Sequence, residues 1–140
     1  MSHREKVAWL SLIAIAVTLG PYFVVAGLSS SDGGLPGLRL LALFGAAAVA
    51  QALVLGLGRW YLRHTSPLDA RTPRDERDRA IDRRAVTMAY YVLIAGTVLV
   101  GVVMPFHAGG WEITNAALFA LVIAESVQYA GAVTGYRLQS

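Results

Sequence analysis

Cysteine is absent from this 140-residue chain. That excludes a disulfide framework, a thiolate nucleophile and any cysteine-based metal centre. Charge is scarce: 15% of residues are charged, against roughly 25% in an ordinary soluble domain. The charges are also clustered, which leaves long stretches with nothing to hold water. Strict polar/apolar alternation is missing too, so these stretches do not read as strands of a membrane barrel. A Walker sequence and a dinucleotide-binding glycine fingerprint are lacking. No Ser/His/Asp set falls on one side of a membrane in the topology derived below, so hydrolase chemistry has no support.

What remains is apolar. Hydrophobic residues make up 56% of the chain, and four runs stand out: Val7–Leu28, Leu40–Leu62, Val86–Phe106 and Ile113–Tyr136. Each approaches or exceeds the ~20 residues that cross a hydrocarbon core of roughly 30 Å. In lipid every backbone polar group needs an internal partner, so these runs are expected to be helices. The expectation is an all-α, integral membrane protein: one four-transmembrane-helix antiparallel bundle over residues 1–140. Its helices should cover about 7–28, 40–62, 73–106 (with a cytoplasmic extension over 73–85) and 112–136. The first run is preceded by His3, Arg4 and Lys6, as in a signal peptide. Its apolar part exceeds the 7–15 residues typical of one, so it is expected to stay as a helix. Gly20–Pro21 predicts a kink in it.

Orientation follows from arginine. Eight of the twelve basic residues lie between Arg59 and Arg84, Arg4 and Lys6 are at the N-terminus, and Arg137 is near the C-terminus. Only Arg39 falls on the other side, in or beside the turn-rich loop SSSDGGLPG, with Asp32 as the neighbouring acid. The positive-inside rule then predicts a multi-pass inner-membrane protein with both termini and the loop between the second and third helices in the cytoplasm. The pI near 9.6 needs only an anionic lipid surface to explain it, with no direct contact to nucleic acid. Trp9, Trp60, Tyr61 and Trp111 fall near segment ends, as an interfacial belt would. His64 and His107 fall at opposite membrane faces, about 30 Å apart, so they cannot share a haem. No cofactor is expected.

The strongly charged stretch predicts the start of the third helix. Thr72 can cap, Pro73 suits the first helical position and Asp75 the third, and Asp75 and Glu76 favour the helix dipole. Arg74–Asp78, Asp75–Arg79 and Arg79–Asp82 have helical pairing distances. The string DERDRAIDRRA ahead of the membrane helix AVTMAYYVL resembles a group of small uncharacterised bacterial four-helix integral membrane proteins with a DERD-x-x-I cytoplasmic motif. The likeness is carried by Asp75, Glu76, Arg77, Asp78 and Ile81 and by the four-helix layout, over about a third of the chain. Some proteins of this look stand beside small helix-turn-helix regulators, which implies signalling. The resemblance supplies no catalytic residue. The motif reads either as a salt-bridged helix extension, as a surface for a soluble cytoplasmic regulator (Asp75, Glu76, Arg77, Asp78, Asp82), or as a metal site from Asp75, Asp78 and Asp82. Nearby arginines would repel a cation, so no metal is expected.

A second feature is buried polarity. Glu125 falls close to the centre of the last apolar run, where an ionisable group costs roughly 2.5–3.5 kcal/mol on translocon scales. Gln51, Thr97 and Thr18 fall at similar depth on the other helices, and Gln128 and Tyr129 share a helical face with Glu125, Leu118 and Ala132. Glu125 is then either a packing hydrogen bond, with Gln51 as partner, or a proton- or substrate-binding group. Small residues line the second helix, and Gly131-x-x-x-Gly135 has the spacing of a tight helix contact, which makes a homodimer through the last helix plausible. Two functions follow. The first is a non-enzymatic membrane accessory or signalling protein. The alternative is a small proton-coupled dimeric transporter using Glu125.

Overall fold

A computed structural model describes residues 2–29, 37–65, 67–71 and 73–138. Four long helices form an all-α bundle: α1 (His3–Ser29), α2 (Gly37–Thr65), α4 (Glu76–Val98) and α5 (Gly110–Leu138), with a single short turn of helix, α3 (Pro67–Arg71), after α2. Each long helix is long and apolar enough to cross a membrane. Most of the predicted loop SSSDGGLPG, including Asp32, lies outside the described residues, as does Thr72.

The ends of the helices are set by local chemistry. At the start of α1 the Ser2 hydroxyl accepts from the Glu5 N–H at 3.2 Å, capping the turn from a Ser-x-x-Glu sequence. α1 then runs unbroken through Pro21. The start of α4 falls three residues later than Thr72–Pro73 predicts. Asp75 itself is the cap: its carboxylate accepts from Glu76, and Asp78 reaches back to the Asp75 N–H at 3.3 Å. Asp at the cap with a second acid at the third position satisfies two orphan amides at once, which a Thr–Pro start cannot.

Beyond Val98 the third span does not stay α-helical. Leu99–Val103 form a π turn, in which the Met104 N–H reaches Leu99 O, and Met104–Phe106 tighten into a 3-10 turn. Pro105 lacks an N–H, and its ring would strike the carbonyl of residue 101 in a regular helix. Widening the turn just before it relieves that clash. The α4–α5 hairpin then turns over three residues, 107–109, and the Glu112 carboxylate accepts from the Gly109 N–H at 3.2 Å.

The four helices are not equivalent. α5 packs along both α4 and α1, and α1 along both α2 and α5, whereas α2 has no extensive packing with α4. The apolar spans of α1 and α5 are 33% and 22% buried, against 11% for each of α2 and α4. The inner pair is therefore the first and the last helix. Their seam is built from small side chains at one end (Ala8, Ala132, Val133, joined by Ala85 of α4) and larger ones in the middle (Ile15, Leu19, Val122). At the far end Tyr22, Ala26 and Leu40 close it, with Phe44 edge-on to Tyr22 at 5.1 Å.

The glycine pair of α5 is spent inside the chain. A Cβ on Gly135 would stand 2.6 Å from Ile81, and one on Gly131 2.8 Å from Met88. Gly96 of α4 returns the favour, facing Ala120. The Gly131-x-x-x-Gly135 spacing thus seats α4 on α5. The tight contact that this spacing permits is made within the chain, with α4 as partner.

Candidate functional site

The α1 start, α2 end, α4 start and α5 end lie together, as the antiparallel order requires, and the charges gather there. Arg4 of α1 is hydrogen-bonded to Asp78 of α4. Arg137 of α5 reaches Glu5 of α1 at 3.4 Å and places its guanidinium 5.2 Å over the Trp9 ring. Arg74 approaches Asp82 at 3.8 Å. These links replace most of the pairing that helical spacing predicts. Asp78 turns to Arg4 rather than Arg74, Arg74 goes two turns on to Asp82, and Arg79 makes no ion pair among the described residues. The reason is tertiary: an acid near the start of α4 lies beside the start of α1, which the sequence separates by 74 positions.

Most of the motif is therefore occupied. Asp75 caps, Asp78 caps and bridges, and Ile81 is buried against Gly135. Glu76 and Arg77 stay at the exposed rim. Among the described residues no three His, Asp or Glu side chains gather as a metal-holding group. Trp9, at the charged end, is partly buried against the Ala8–Ala132 cluster beneath the Arg137 guanidinium. Trp60 and Tyr61 are exposed as an interfacial belt requires.

Beside these links is a cleft of about 420 Å³. Its rim carries Arg4, Arg59 and Arg74, from α1, α2 and the approach to α4, with Asp82 as its one acid. Gln128, Tyr129 and Tyr136 of α5 supply polar groups, and Val7, Ala8, Ala85 and Ala132 an apolar floor. It exists because α2 and α4 are held apart by the α1–α5 pair and do not close on each other. Arg4 is bridged to Asp78 and Arg74 approaches Asp82, so Arg59 is the rim cation with no ion pair among the described residues, and it suits an acidic or phosphate-bearing group.

The structure brings Gln128 and Tyr129 to this cleft but leaves Glu125, Gln51 and Thr97 out of its lining. Glu125 is half-buried, one turn deeper than Tyr129 on the same face of α5. Val122 and Tyr129 pack with Ile15, Phe44 and Ala47, so Glu125, between them at helical spacing, faces the same seam. Gln51, one turn beyond Ala47 on α2, is buried. No hydrogen bond or ion pair reaches the Glu125 carboxylate among the described residues. The threonines leave the polar layer: Thr18 donates to Ala14 O at 2.6 Å and Thr97 to Leu93 O at 2.8 Å. Thr97 is exposed and lines a shallow depression with Ala117 and Ala120 of α5. A hydroxyl that satisfies itself on the preceding turn can face lipid, which periodicity alone does not reveal.

One polar pair escapes sequence reasoning. Tyr22, 2% exposed, donates to Asn115 Oδ1 at 2.9 Å, joining α1 to α5. The signal was present, since Asn115 is an amide in an apolar run, but its partner lies 93 positions away.

No family model matches this chain, and no curated protein or solved structure matches it either. The functional reading rests on the residues themselves.

Proposed function

We propose that this is a non-enzymatic accessory or signalling protein of a bacterial inner membrane, crossing it four times with both termini in the cytoplasm. The segregation of arginine supports that orientation: the end carrying Arg4, Arg59–Arg84 and Arg137 faces the anionic cytoplasmic side. The observation that carries the reading is the cleft at that end, where arginines from three parts of the chain meet Gln128 and Tyr129. A soluble regulator bearing an acidic segment would place that segment against Arg59 and Arg74 and contact the rim at Glu76 and Arg77. Asp75, Asp78 and Asp82 serve the partner indirectly, by holding the rim in shape. A photo-crosslinker at position 76 should trap one defined soluble partner in cells. Arg59→Gln with Arg74→Gln should abolish that adduct. A cross-link pattern unaltered by the pair of changes removes the reading.

A second reading has its own observation, the half-buried Glu125 carboxylate without a partner among the described residues. In a proton-coupled transporter that acid exchanges the proton, with Gln51, Gln128 and Tyr129 around it. Four helices then require a dimer, formed by a face other than the one Gly131 and Gly135 use. Glu125→Gln should abolish proton-coupled flux in proteoliposomes while leaving the fold intact. Under the accessory reading the same change should be mild.

A further inference from the structure

A second depression, of about 750 Å³, lies on the opposite face of the α4–α5 pair and shares no residue with the cleft. α1 and α2 contribute nothing to its lining, so it faces outward from the bundle, toward lipid. It is ordered along the helix axis. Arg83, Arg84 and Leu138 stand at the charged end; Thr87 and Met88 lie about one turn deeper, roughly 6 Å at 1.5 Å per residue, and Tyr91 and Gly131 about two turns deeper, roughly 10 Å.

Three properties of this groove point the same way. First, its charges are unopposed: no acid lines it, and neither Arg83 nor Arg84 makes an ion pair among the described residues. Second, its floor asks for no polar partner. Thr87 donates to Arg83 O at 2.8 Å and Thr134 to Ala130 O at 3.0 Å, so both turn apolar surface outward. Third, the floor is hollow because Gly131 and Gly135 let Met88 and Ile81 settle against α5.

We propose that this groove holds an anionic phospholipid of the cytoplasmic leaflet. Arg83 and Arg84 take the phosphate, and the first carbons of an acyl chain lie along Thr87, Met88 and Gly131. A paired cation followed within two turns by an apolar trough matches the head-to-tail order of a lipid. A free phosphate would have no use for the trough. A second copy of the chain is disfavoured by symmetry, since a two-fold contact here would bring four guanidiniums together with no acid between them.

Native mass spectrometry of the full chain, released from detergent holding equal phosphatidylglycerol and phosphatidylcholine, tests the proposal. The unaltered protein should retain phosphatidylglycerol at least tenfold over phosphatidylcholine. Arg83→Gln with Arg84→Gln should bring that ratio near one. Arg63→Gln with Arg71→Gln removes the same charge outside the groove and should leave it unchanged. Thr134→Phe fills the trough and should lower retention of both lipids without touching the arginines, so a folding defect in the arginine variant does not decide the matter. The proposal is overturned if both arginine pairs act equally, which means a diffuse basic surface. It is equally overturned if glycerol 3-phosphate displaces the lipid at matched concentration, or if Thr134→Phe changes the dimer fraction instead of lipid retention.

Discussion

Asp78 performs two tasks with one carboxylate: it closes the capping box of α4 on the Asp75 N–H and it holds Arg4 of α1. The two helix starts are thereby fixed to each other before the chain enters lipid.

Asp78→Ala should therefore cost more than either task alone. Loss of a cap is typically about 1 kcal/mol, and a partly exposed ion pair adds up to about 1 kcal/mol. Reversing the pair, with Arg4→Asp and Asp78→Arg, restores the bridge and not the cap, so it should recover only part of the loss. Unfolding in mixed detergent micelles measures both, and full recovery by the reversed pair would show that the capping box contributes nothing.

Gly135→Leu should separate α4 from α5. The added side chain starts 2.6 Å from Ile81, and overpacking of this kind costs about 1–3 kcal/mol. The thermal midpoint in detergent should fall while the oligomeric state, read by light scattering, stays constant. Ile81→Ala in the same chain should restore part of the loss. A change in association with no change in midpoint would return the glycines to an intermolecular role.

Much of the architecture was legible because hydropathy and arginine placement are one-dimensional signals: four spans, their order and the common charged end need nothing else. The start of α4 was legible in kind but not in register, since Thr72–Pro73 and Asp75–Asp78 both have capping chemistry and the reciprocal capping box, with Asp78 also held by Arg4, falls at the second. The neighbours of Gly131 and Thr97 were not legible at all. Periodicity says that a residue shares a face, not which neighbour that face meets. Of the expected site, Gln128 and Tyr129 reach the cleft, while Glu125 and Gln51 lie one turn or more away from it.

Tyr22→Phe should cost about 0.6 kcal/mol, and at most roughly 1.7, the range measured for hydrogen bonds inside membranes. Asn115→Ala alone should cost a similar amount. The double variant should cost less than the sum, because the two side chains form one bond. Strict additivity would mean that the 2.9 Å contact carries no energy of its own.

Arg137→Gln should be more harmful than Glu5→Gln. Glu5 is 7% exposed, so removing the cation strands a buried acid, whereas removing the acid leaves a largely solvated Arg137 that keeps its place over Trp9. The same detergent unfolding ranks the two, and equal losses would show that the acid finds another partner.

Because α1 and α5 are the inner pair, a ribosome delivers α1's half of the central seam well before α5's half. Until the final span is inserted, Ala8 and Ile15 have only acyl chains where Ala132 and Val122 will later lie. The two hairpins can each form as they emerge, but the molecule becomes one body only when its youngest helix slides in beside its oldest.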